Sequence, residues 1–258
     1  MAEPTENAVA QAHWASRRDS SIDVHADVTP NTFEALAFEQ QLAGNWSGTL
    51  DAVTKWLDIE PFSVRPAVMG SFVAVAHRGD GKAGEEFAKR GLIANKGDAM
   101  LHNNLAVSLA IQGKLAEASA ELETVKFRHG AAEEAVNLAT RGLIQMRAGA
   151  VHEGSHLYGQ AIELALKLKN PILWCRAAAF FLHECARFDK SEIEEMAGKV
   201  MRVYDRLNPT VKLSANDIPA LIDRAKRTSS VSEMLEKLGS FRNDFLAFPI
   251  DDAGQPDK

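Results

Sequence analysis

A pattern built on glycine and alanine returns along this chain at nearly constant spacing, and a chain that repeats itself folds by stacking like units. The stretch GKLAEASAELETV aligns with GAVHEGSHLYGQAI. Gly113 then matches Gly149, Ala118 matches Gly154, Leu122 matches Tyr158 and Val125 matches Ala161. Upstream, GDGKAGEEFAKRGL places Gly79, Gly84, Ala88 and Gly91 on the same four positions, at offsets of 34 and 36 residues between successive copies. Weaker copies lie at Gly44, Thr49, Val53 and Trp56, and from Pro171 onward in PILWCRAAAF. A unit of this length cannot bury its apolar face alone, so several must stack.

The units are helical. Alanine occurs 40 times and no proline stands between Pro66 and Pro171. Alanine is the best helix former and proline the worst, and strand-like alternation is scarce, so the expected class is all-α. Residues 1–29 are polar and without period, which predicts a disordered tail, with Trp14 loosely placed in it. After Asn208-Pro209 the period changes. Residues 214–227 read as a helix capped by Ser214 or Asn216 with Pro219 in its first turn, and 230–238 as another short helix. The apolar FRNDFLAFPI follows, and 248–258 is a second disordered tail.

Charge and chemistry narrow the function classes. The 29 basic and 35 acidic residues give a net charge of −6, which lacks the gross footprint of a duplex-binding protein. No apolar run reaches the ~20 residues that span a bilayer, and the N-terminus has early acids and no apolar core, so a cytoplasmic chain is expected. Cys175 and Cys185 are too few for a disulfide framework and read as buried thiols. HECAR at 183–187 lacks the second histidine of a zinc-protease helix. No phosphate-cradling loop is present, and carboxylate pairs such as Glu85/Glu86, Glu133/Glu134 and Glu194/Glu195 read as solvated faces. No metal, cofactor or catalytic residue is expected.

The repeat resembles the tetratricopeptide repeat, a helix-turn-helix unit of about 34 residues. In the central copy His102, Ala106, Leu109, Ala118, Leu122, Val125 and Gly130 fall on that motif's large, small and bulky positions; in the next, Leu138, Gly142, Gln145, Gly154, Tyr158 and Ala161 do. Trp174, Ala178, Phe181 and Ala197 fit in the Pro171 copy, while Lys190, Glu194 and, in the first full copy, Phe72 depart from the pattern. The resemblance implies a right-handed superhelical solenoid of about five helix pairs over residues 30–207, with capping helices at 208–247. Small residues let its helices approach closely, and Gly142 and Gly154, which cost about 1 kcal/mol each in an isolated helix, are explained by such contact.

The same resemblance places a groove on the first helix of each unit. Its expected lining is Met69, Val73, His77, Asn103, Asn104, Val107, Arg141, Leu143, Arg147, Arg176 and His183. Asn104 takes the position of a ligand-holding amide, though the lysine and arginine companions of a terminal-carboxylate clamp are missing. First helices, taken as 66–78, 99–112, 135–148 and 171–186, hold Arg78, Arg141, Arg147 and Arg176 and one acid, Glu184. The expectation is therefore a protein-binding scaffold whose groove takes an apolar, partly acidic peptide, with Arg141, Arg147 and Arg176 steering the acids. Self-capping of the groove by the C-terminal helices, or a homodimer, would satisfy the same apolar surface. Two alternatives are an accessory subunit of an enzyme or RNA-associated system and an all-α enzyme. The first draws on a looser likeness of residues 56–118 to repeat regions that follow PIN-type nuclease domains in some bacterial proteins.

Overall fold

The computed structural model describes residues 33–124, 130–188 and 191–228. The tails, the stretch 229–258, Val125 and Lys190 lie outside the described residues. Among the described residues the chain is 82% helix, with twelve helices and no strand, so the all-α class holds. The helices are α1 (Phe33–Leu42), α2 (Trp46–Ile59), α3 (Val64–Arg78), α4 (Gly81–Ala94), α5 (Ala99–Ile111), α6 (Leu115–Thr124), α7 (Ala131–Arg147), α8 (Val151–Lys167), α9 (Pro171–Ala186), α10 (Ile193–Asp205), α11 (Pro209–Ser214) and α12 (Asp217–Arg227). The first ten follow one another as pairs joined by short connections. The chain divides into two compact units, which part after Ser108.

The pairs turn on the repeated glycine. Gly44, Gly79, Gly113 and Gly149 have φ of 70°, 67°, 81° and 88°, a region in which a Cβ is strained. The next residue closes each turn: Asn45 N–H donates to Gln40 O, Asp80 N–H to Ala74 O, Lys114 N–H to Leu109 O and Ala150 N–H to Gln145 O. Helix starts are fixed by side chains that accept from backbone N–H groups, Asn45 from Gly48, Asp80 from Ala83, Asp98 from Leu101, Asn170 from Leu173 and Asn208 from Val211. Asn216 stands at the N-cap of α12 but makes no side-chain cap, and Ser214 ends α11 instead.

In the first unit, α1 packs on α2, α2 on α3 and α3 on α4. The core gathers Ala37, Ala52, Val53, Trp56, Leu57, Ala67, Phe87 and Leu101. Arg65 ion-pairs with Glu34 and lies over the Trp56 ring at 5.4 Å. A Cβ on Gly70 would meet the Phe87 ring at 2.6 Å, so the close approach in α3 falls at Gly70. Phe72, two residues on, is half-buried and needs no small side chain in its place.

In the second unit, α7 packs along α8, and α9 touches α7, α8, α10 and α12. Gly142 and Gly154 face each other across the α7/α8 hairpin. A Cβ on Gly142 would meet Gly154 O at 2.8 Å, and one on Gly154 would meet Gly142 O and Met146 N at 2.7 Å. These obstacles are backbone and cannot swing aside. Gly154→Ala is expected to lower unfolding free energy by about 1–3 kcal/mol. Gly198→Ala, whose Cβ meets only the Arg202 side chain at 3.5 Å, should raise it by roughly 0.5–1 kcal/mol through helix propensity. Urea unfolding of the two variants beside the parent checks both signs.

Candidate functional site

The expected groove residues of the first unit lie on α3 and α5. Val73 is fully buried, Asn103 and Asn104 are buried, and Met69, His77 and Val107 are half-buried. The Asn104 amide, expected to hold a ligand backbone, donates to Ser71 Oγ at 2.9 Å and to Val68 O at 3.3 Å, tying α5 to α3. The His77 ring stacks on Trp46 at 3.6 Å between centroids and 3° between planes, with Phe72 edge-on at 6.0 Å. Arg78 reaches Ser47 Oγ on α2. Asn104, His77 and Arg78 each join one helix to another.

In the second unit Leu143 is buried and Arg141 is exposed on α7. Two of the three guanidiniums expected to meet a partner's acid, Arg147 and Arg176, meet one of the chain's own. Arg147 holds Glu184 by two bonds, Nη2 to Oε1 at 2.7 Å and Nε to Oε2 at 3.1 Å, while its Nη1 donates to the Ile111 carbonyl at 3.3 Å. Arg187 Nη1 also donates to Glu184 Oε2, at 3.2 Å. Arg176 grips Asp217 with Nε and Nη2, both at 2.8 Å, and Asp217 is fully buried at the start of α12. The helix α12 packs on α9 and α10, with Ile218, Leu221, Ile222 and Ala225 buried.

His183 sits at the far end of the same contact. Its Nδ1 lies 2.9 Å from Thr228 Oγ1, and that hydroxyl donates to Arg224 O at 3.0 Å, which leaves Nδ1–H as the donor. Burial, and then the positive charge of Arg224, Arg147 and Arg187, push its pKa down to about 3. The imidazole is therefore neutral at neutral pH. Burial also lowers Arg224, with Arg147 adding to that and Glu184 opposing it. The Tyr158 hydroxyl is driven well up by burial and by Glu184. Burial, aided by Asp217, pushes the Cys175 thiol up to about 12, and both cysteines are buried, as an inert-thiol reading expects.

The arrangement is a neutral histidine and a buried tyrosine beside one carboxylate shared by arginines. Among the described residues no three His, Cys, Asp or Glu side chains gather as metal ligands. No described helix is long and apolar enough to cross a membrane. Sequence reasoning passed over Glu184, Arg187, Asp217 and Arg224. Glu184 is marked in the sequence as the one acid of the first helices, a repeat length beyond Arg147. Comparison with family models, curated proteins and solved structures returns no match.

Two outcomes follow. Glu184→Gln should destabilise the chain by about 3 kcal/mol, because Arg147 is left buried and unpaired, whereas Arg147→Met with Glu184→Leu should cost far less. Urea unfolding of the single and double variants separates these. His183 binds its proton more weakly folded than unfolded, so stability is full above pH 6.5 and falls as pH drops below it. From pH 7.5 to 5.5 the loss assigned to His183 is about 1 kcal/mol, and His183→Gln should remove that part of the slope.

Proposed function

We propose that the chain is a protein-interaction scaffold, a tetratricopeptide-type solenoid whose inner helices bind an apolar, partly acidic peptide segment. The observation that carries this reading is the series of helix pairs turning on Gly44, Gly79, Gly113 and Gly149, with small residues where helices approach closely. Stacked pairs of this kind generate extended surfaces rather than enclosed pockets. Each unit keeps accessible side chains on these helices. Met69 and Val107 remain half-buried on α3 and α5, and Arg141 is exposed on α7. The side chains that tie inner helices to their neighbours, Asn104, Arg147 and Arg176, serve the scaffold, so recognition rests on the accessible ones.

The test is capture from the host's lysate, with the wild-type chain beside a Met69→Gln, Arg141→Glu variant. A protein retained by wild type and depleted at least about fivefold by the variant is expected, since rim charges and a lost apolar contact each contribute on this scale. Equal retention of the same proteins by both, or retention of none, overturns the reading. Salt-sensitive recovery of RNA instead would favour an RNA-associated subunit.

A further inference from the structure

Residues 183–187 lack the second histidine of a zinc-protease helix, but the same pattern is complete one helix earlier. His152-Glu153-Gly154-Ser155-His156 stands at the start of α8, with two histidines four residues apart. On a helix that spacing puts both side chains on one face, with Cβ atoms about 5–6 Å apart. The structure shows which face it is. Val151, Gly154, Ser155 and Tyr158 are buried, while His152, Glu153, His156 and Gln160 are exposed. The turn that carries both rings is fixed in place, because Gly154 lies against the backbone of Gly142 and Met146 with no room for a Cβ. Two imidazoles are thus presented outward from a rigid segment.

Imidazole suits divalent ions such as zinc, nickel and copper, and it binds zinc at about 2.0–2.1 Å through a ring nitrogen that carries a lone pair. His156 presents such a lone pair. Its Nε2 lies 3.2 Å from Nε2 of Gln160. An amide nitrogen only donates, so the ring nitrogen facing it accepts, and the ring proton sits on Nδ1. His152 needs one nitrogen for an ion, and a hydrogen bond at the other makes an imidazole a better ligand. The positive end of the helix dipole opposes a cation in the first turn, and the Glu153 carboxylate offsets it there. Among the described residues no third His, Cys, Asp or Glu completes a ligand set, so water fills the remaining positions. Catalytic zinc sites use three protein ligands, and the pattern on α8 therefore supports binding rather than peptide cleavage. We propose that His152 and His156 chelate one divalent transition ion of the zinc class on the exposed face of α8. The site does not rest on the peptide-binding reading, because α8 is the second helix of its pair and the groove is assigned to first helices.

The experiment titrates the full chain, stripped of metal with a chelator and dialysed, with zinc chloride by calorimetry. The histidine ring resonances are followed in parallel. One zinc per chain is expected, with an affinity that falls by at least about tenfold in His152→Gln and in His156→Gln. The losses should not add: the double variant should bind no more weakly than either single one, since removing one ring already destroys a chelate. His102→Gln, on α5, should bind as the parent does. Glu153→Gln should lose no more than about fivefold, the scale of an exposed charge pair. The substituted side chains of α8 are exposed, so the variants should keep the parent's circular dichroism. If one does not, wild type decides: zinc should shift the rings of His152 and His156 before those of the other six of the chain's 8 histidines. Unchanged affinity in either histidine variant, losses that add as for two separate sites, or a first shift at other rings overturns the site. So does a Glu153→Gln loss as large as that of the histidines, or a zinc affinity weaker than about 1 mM.

Discussion

The second unit is organised around a carboxylate that cannot reach water. Glu184 is almost wholly buried on α9, and an ion there is costly unless its oxygens are met by charged donors. Arg147 meets it from α7 by two bonds and reaches back to the Ile111 carbonyl, so a single planar group fixes three segments of backbone. The position of α7 against α9 is therefore set by angle as well as by apolar contact. The same device recurs one helix on, where Arg176 and Asp217 seat α12. In the first unit the neutral counterpart is Asn104 on Ser71 and Val68. Apolar burial supplies most of the driving force in both units, but a surface of alanines permits more than one register. Each buried polar link permits only one.

Much of this architecture was legible because it depends on backbone geometry. A positive φ demands glycine, and two backbones in contact leave no room for a Cβ, so Gly79, Gly113, Gly149, Gly142 and Gly154 could be picked out without coordinates. The slip at Phe72 has a physical cause. In α3 the close approach shifts to Gly70, beside the Phe87 ring, and a fixed spacing counted from a neighbouring copy cannot see that shift.

The candidate site was less legible. Sequence separates residues by helix but does not say whether an arginine on an inner helix faces solvent or a carboxylate a repeat away. Arg147 and Arg176 looked like groove charges because Glu184 was counted as a lone acid and Asp217 was passed over. The neutral state of His183 comes first from burial and then from three arginines of three segments, two of them on α7 and α12, and no local pattern encodes it.

The turn glycines carry a consequence of handedness. A Cβ built on Gly44, Gly113 or Gly149 meets nothing within 4 Å, so only the chirality of an ordinary residue bars it from these sites. A D-alanine has its favoured helical region at positive φ, where these turns already lie. Introduced by ligation of synthetic segments, it would suit the existing backbone and narrow the freedom of the unfolded chain. The hairpins are in this sense places where a mirror-image residue is the better fit, and glycine is the nearest substitute among the genetically encoded residues.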